Sequence, residues 1–155
     1  MIKILFICHG NICRSPMAEF VMREYIRREK LDPMVSVASA ATSTDEIGCD
    51  IHYGTREVLT KHGIPFERRA ARQTTKRDYG EYNIICGMDA PNMRNMRRIY
   101  GGDSEGKLSL LLDYCGGGEV ADPWYTGNFD ATWNDVTRGC RALLNKIKTD
   151  LKGNK

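Results

Sequence analysis

The sequence predicts an α/β fold, with a four-stranded parallel sheet and helices on both faces. Three observations carry this. Short apolar runs alternate with stretches in which apolar residues recur at helical spacing. Those runs are nearly continuous rather than alternating with polar residues, as strands covered on both faces require. The 155 residues, 41% of them hydrophobic, suit one domain with a sizeable core. Together they describe a three-layer sandwich of flavodoxin- or Rossmann-like type, a single domain spanning 1–155 without repeats or linkers.

Ile2–Ile7 is the first strand, wholly apolar but for Lys3. Met17, Ala18, Val21, Met22, Tyr25 and Ile26 then repeat at helical spacing and predict a helix over 16–30. Val35–Ala41 is a second strand, and residues 42–53 are polar and irregular. Thr55–His62 is a short helix, stopped by Gly63 with Pro65 beyond. Tyr82–Cys86 is a third strand. Asn92–Tyr100 is a helix ended by Gly101 and Gly102, and Lys107–Leu112 a fourth strand. A glycine loop at 116–118 leads to Asp122. Trp133, Val136, Cys140, Leu143, Leu144, Ile147 and Leu151 then form one stripe on a long last helix.

The join between the first strand and first helix carries the chemistry. It reads Cys8-His9-Gly10-Asn11-Ile12-Cys13-Arg14-Ser15-Pro16. With six cysteines in the chain, about 0.5 pairs with an Arg six positions on are expected by chance. The context makes the pattern specific. A buried strand delivers the thiol, Gly10 and Asn11 suit the positive φ of a cradle, and Ser15-Pro16 opens a helix. Amides pointing inward at a helix N-terminus bind a phosphate-like anion, and a thiol beneath them is a candidate nucleophile. Arg14 offers a planar fork to two equatorial phosphoryl oxygens. Expelling an alkoxide or phenoxide also needs a proton donor. Asp122 is the candidate, stiffened by Pro123 and flanked by Trp124 and Tyr125, which suit the walls of a pocket for a flat aromatic ring.

The loop resembles the signature loop of the low-molecular-weight protein tyrosine phosphatases. The likeness extends over nearly the whole chain, through Ser39-Ala40-Ala41, Ala71-Arg72, Met88-Asp89 and Asp122-Pro123-Trp124-Tyr125. The resemblance implies a protein tyrosine phosphatase in which Cys8 forms a cysteinyl-phosphate intermediate. Arg14 would grip the phosphoryl group, and Asp122 would act first as acid and then as base. Ser15 would stabilise the Cys8 thiolate as a leaving group. Asn11 and Ser39 would hold the strained loop, and His9 would face outward and tune specificity. Cys13 would be able to pair with the nucleophile in a protective disulfide. Asp89 would buttress the catalytic arginine, although its place before Ala90-Pro91 equally fits a helix N-cap. Arg72 resembles a loop-anchoring arginine. Arg69 stands where many relatives carry a histidine of the loop-holding network. Trp124 replaces a more frequent tyrosine, and Asp45 lies near where some members place an aromatic residue on the opposite rim.

A net charge of +3 without blocks of like charge does not point to nucleic acid and suits a small anionic substrate. The first apolar run is too short for a signal peptide, and no stretch approaches a membrane span. Cysteines at 8, 13, 49, 86, 115 and 140 lack C-x-x-C or zinc-ligand spacing. No metal or cofactor is expected, because Arg14 and the loop amides carry the charge stabilisation, and free thiols point to the cytoplasm. The expected partners are a phosphotyrosine protein and a tyrosine kinase. Two rival readings share the fold. One is a protein-arginine phosphatase, whose members tend to have Thr where this chain has Ile12. The other is a thiol-dependent arsenate reductase, which needs resolving cysteines on a flexible segment.

Overall fold

The computed structural model describes residues 1–153, so the last two positions of the expected 1–155 domain lie outside the described residues. Four strands form one parallel sheet: β1 (Ile2–Cys8), β2 (Val35–Ala41), β3 (Ile84–Gly87) and β4 (Leu108–Leu110), in the order β2-β1-β3-β4. Helices are α1 (Arg14–Arg28), α2 (Tyr53–Lys61), α3 (Lys76–Glu81), α4 (Ala90–Tyr100), α5 (Pro123–Thr126) and α6 (Phe129–Gly153).

The sheet is buried on both faces, as the unbroken apolar character of β1 requires. Ile4, Phe6 and Cys8 point into a core with α1 and α6, where Met17, Phe20, Val21, Val136, Cys140 and Leu143 meet. Leu5 and Ile7 point the other way, against Ile85, Met96 and Tyr100. Each such side chain taken from water contributes about 1.5–3 kcal/mol. The strand order reverses between β1 and β3, which flank one another while β2 lies beyond β1. A crevice opens at the carboxyl ends of strands at such a switch point. Cys8 ends β1 and Asp89 follows β3, so both stand at its mouth.

Several boundaries differ from the sequence expectation. Helix α1 begins at Arg14 rather than at 16. Helix α2 begins at Tyr53 because His52 caps it, its ring nitrogen accepting from the Gly54 N–H at 3.1 Å. The fourth strand stops at Leu110, not 112. There Asp113 accepts from the Leu110 N–H at 2.8 Å, turning Leu111–Cys115 into a 3-10 helix closed by Gly116 at φ 107°. Among the described residues no helix is long and apolar enough to cross a membrane.

Candidate active site

The site is built from the β1–α1 loop outward. Three donors converge on Cys8 Sγ: the Ser15 hydroxyl at 3.1 Å, the Asn11 N–H at 3.3 Å and the Ser15 N–H at 3.4 Å. Donors so placed stabilise a thiolate. The N-cap residue, Cys13, makes no side-chain cap bond, and among the described residues the one amide of the first turn taken by a side chain is that of Ser15, held by the Cys8 sulfur itself.

The loop holds its shape through Asn11, at φ 59° and 1% exposed. A left-handed non-glycine residue costs about 1–2 kcal/mol and persists only where its surroundings fix it. The Asn11 amide donates to Ser15 Oγ at 2.8 Å and Ser39 Oγ at 2.9 Å, and its Oδ1 accepts from the Arg72 N–H at 3.3 Å. Ser39 in turn donates to Glu19 at 2.5 Å. Arg69 completes the frame, donating to the carbonyls of Asn11 and Cys49. The departure from histidine at 69 thus leaves no gap, because the guanidinium reaches the loop backbone itself. Gly10 corrects the expectation that it supplies positive φ, since only Asn11 is left-handed in this loop. What Gly10 supplies is room, as a Cβ there would lie 3.2 Å from Glu46 Cγ.

Arg14 is 3% exposed and held on three sides. Its Nη1 donates to Asp89 at 2.8 Å and to the Val120 carbonyl at 3.2 Å, while Nη2 lies 3.3 Å from Asp122 Oδ2. Burial alone would pull its pKa down, but the negative charge of Cys8, then Asp89 and Asp122, keeps it above the ordinary arginine value. Asp89 makes two contacts at once. Oδ2 holds Arg14, and Oδ1 accepts from the Asn92 N–H at 2.9 Å to cap α4. Asp122 caps α5, its Oδ1 accepting from the Trp124 N–H at 3.1 Å, and this turns Oδ2 toward Arg14.

These groups line a pocket of about 330 Å³. Cys8, Cys13 and Arg14 are its buried lining, and His9, Gly10, Ile12, Asp45, Glu46, Trp124 and Tyr125 also line it. Trp124 and Tyr125 are 63% and 85% exposed, so they line the pocket from outside the core. His9 pairs with Asp45 at 2.8 Å, both largely in solvent. The aromatic opposite rim of some relatives is here a solvated polar pair. Pro91, Asn92 and Asn95 of α4 supply a wall the sequence did not signal. Burial first, then the charges of Cys8 and Asp122, push the Cys13 thiol up to about 12, so it stays protonated beside the nucleophile. Cys86 is wholly buried, and neither it nor Cys115 lines the pocket.

Residues 3–153 match the family model described as low molecular weight phosphotyrosine protein phosphatase. The low molecular weight protein-tyrosine-phosphatase YfkJ of Bacillus subtilis is 37% identical over 153 residues, covering 97% of this chain and 98% of that protein. The corresponding Staphylococcus aureus protein, PtpA, is 34% identical over 152 residues, covering 97% and 96%. The crystal structure of YfkJ superposes with a TM-score of 0.93 over 97% of this chain and 96% of its own. That of the Streptococcus pyogenes low molecular weight protein tyrosine phosphatase, 36% identical, gives 0.86 over 95% and 93%.

Proposed function

The chain belongs to the low molecular weight phosphotyrosine protein phosphatase family, and from that premise we propose that it hydrolyses protein phosphotyrosine monoesters through a phosphorylated Cys8, with residues 1–155 acting as one catalytic domain. One observation carries the reading: Cys8 Sγ lies under three donors at the start of α1, with Arg14 and Asp122 facing the same pocket.

The thiolate attacks phosphorus in line. The P–S bond forms as the ester P–O bond breaks, and Asp122 gives its proton to the departing phenolic oxygen. The resulting carboxylate takes a proton from water as that water attacks phosphorus. The P–S pair returns to Cys8, Ser15 Oγ donates to the sulfur, and phosphate leaves. Arg14 and the loop amides hold the equatorial oxygens and stabilise the charge that builds on them. Asn11, Ser39 and Asp89 keep those groups in place. His9, Ile12, Asp45, Trp124 and Tyr125 shape the entrance for the ring. We place the protein in the cytoplasm, acting on proteins phosphorylated by a tyrosine kinase.

The test compares a phosphotyrosine peptide, phosphoarginine and arsenate on the purified protein. Hydrolysis confined to the peptide supports the reading, and preference for either rival substrate overturns it. Cys8→Ser abolishes turnover while the protein stays folded. Asp122→Ala lowers turnover by about 10²–10⁴ and flattens its response to pH, yet keeps phosphate binding.

A further inference from the structure

The first turn of α2 touches both halves of the pocket, and no step above uses it. The His52 N–H donates to the Ile12 carbonyl at 2.9 Å, and Thr55 Oγ1 donates to the Cys13 carbonyl at 3.2 Å. In a planar trans peptide the N–H points opposite the C=O. Holding these two carbonyls outward therefore turns the amides of Cys13 and Arg14 toward the anion.

The same turn reaches the other way. The His52 ring stacks on Phe129, with centroids 5.2 Å apart and planes at 20°. It also meets Trp124 edge-on at 6.4 Å and 79°. Trp124 and Phe129 bracket the segment that follows Asp122. Gly54 is helical without positive φ, so the backbone does not call for glycine there. Space does: a Cβ would lie 2.4 Å from Phe129 Cε2 and Cζ. A residue that weakens a helix is tolerated at this point, where it lets the ring seat on the turn.

We propose that His52 and Gly54 are positioning residues for the general acid, holding the Asp122 segment in register with the phosphate loop through Phe129 and Trp124. This rests on the phosphatase reading above.

A displaced acid should matter most where the leaving group needs its proton most. His52→Asn keeps a capping acceptor and the backbone bond to Ile12 and removes the stacked ring. Gly54→Ala keeps the ring and displaces Phe129. In each, kcat/KM for phenyl phosphate should fall about tenfold further than for p-nitrophenyl phosphate, whose leaving group departs readily. Inhibition by inorganic phosphate should stay within about twofold, since the loop amides remain. Added to Asp122→Ala, either change should cost nothing more. Equal losses on both esters, no loss on either, or a further loss on the Asp122→Ala background overturns the proposal. Wild-type protein hydrolysing neither ester overturns the phosphatase reading and this inference with it, and that outcome shows before any variant is made.

Discussion

Asp89 ties catalysis to stability through two oxygens with different tasks, and two substitutions separate them. Asp89→Ala removes both the α4 cap and the 2.8 Å pair to Arg14. Loss of an N-cap costs about 1 kcal/mol. Stripping one partner from a buried ion pair costs about 3–5 kcal/mol. Here Asp89 is 19% exposed, and Asp122 with the Val120 carbonyl still engages the guanidinium, so about 2 kcal/mol is the better figure. Together the loss is about 3 kcal/mol, a fall in Tm of about 6–12 °C for a chain of this size. Asp89→Asn keeps an oxygen for the cap and loses only the charge, costing about 1–2 kcal/mol. With Arg14 held on one side fewer and its fork less closely aimed, kcat/KM on an aryl phosphate should drop about 100-fold in Asp89→Ala and about tenfold in Asp89→Asn. Urea unfolding and steady-state kinetics measure both. Equal destabilisation by the two variants would refute the cap, and kcat/KM within twofold of wild type in Asp89→Ala would refute the grip on Arg14.

Arg69→Met keeps bulk but loses the bonds to the Asn11 and Cys49 carbonyls. Stability should fall by about 1–2 kcal/mol and kcat/KM about tenfold, both read on the purified variant. Glu24 is held at about 2, below its ordinary 4.5, by hydrogen bonds from Arg27 and Arg28 that outweigh its burial. A depressed carboxyl stabilises the fold above the ordinary value and loses that contribution as pH falls from about 4.5 toward 2. The arginines are 63% and 52% exposed, so screening leaves about 1 kcal/mol. Thermal melts should show Glu24→Gln less stable than wild type at pH 7 and level with it near pH 2. Gly139→Ala should destabilise by about 1–3 kcal/mol, seen in the same melts, because the new Cβ would lie 2.5 Å from Leu111 Cγ.

The legible parts of the site are those written in consecutive residues. A buried strand, a thiol, a turn and a helix start are all visible from Ile2 to Pro16, and the Asp122-Pro123 step with two aromatics marks the second half. At Asp89 the following Ala90-Pro91 shows the helix cap, whereas the grip on Arg14, 75 residues away, is implied only by the family resemblance. The rest depends on side chains meeting across the fold. Arg69 and Asn11 are 58 residues apart, and Glu19 and Ser39 are 20 apart. Nothing near Glu19 in the sequence distinguishes it from a solvated helix charge. Helix α3 is not legible because Lys76–Glu81 has no apolar stripe. It is fixed by Asp78, whose carboxylate accepts from the Thr75 N–H, Thr74 and Arg72. The part played by His52 is not legible locally, because its ring partner, Phe129, lies 77 residues on.

Rapid quenching of the turnover of an aryl phosphate, followed by peptide mass analysis, tests the nucleophile most directly. A single phosphoryl group should appear on the peptide containing Cys8 during turnover and decay as substrate is exhausted, and it should be absent in Cys8→Ser. Turnover with no phosphoryl group on Cys8, or with the group on another residue, would contradict the mechanism.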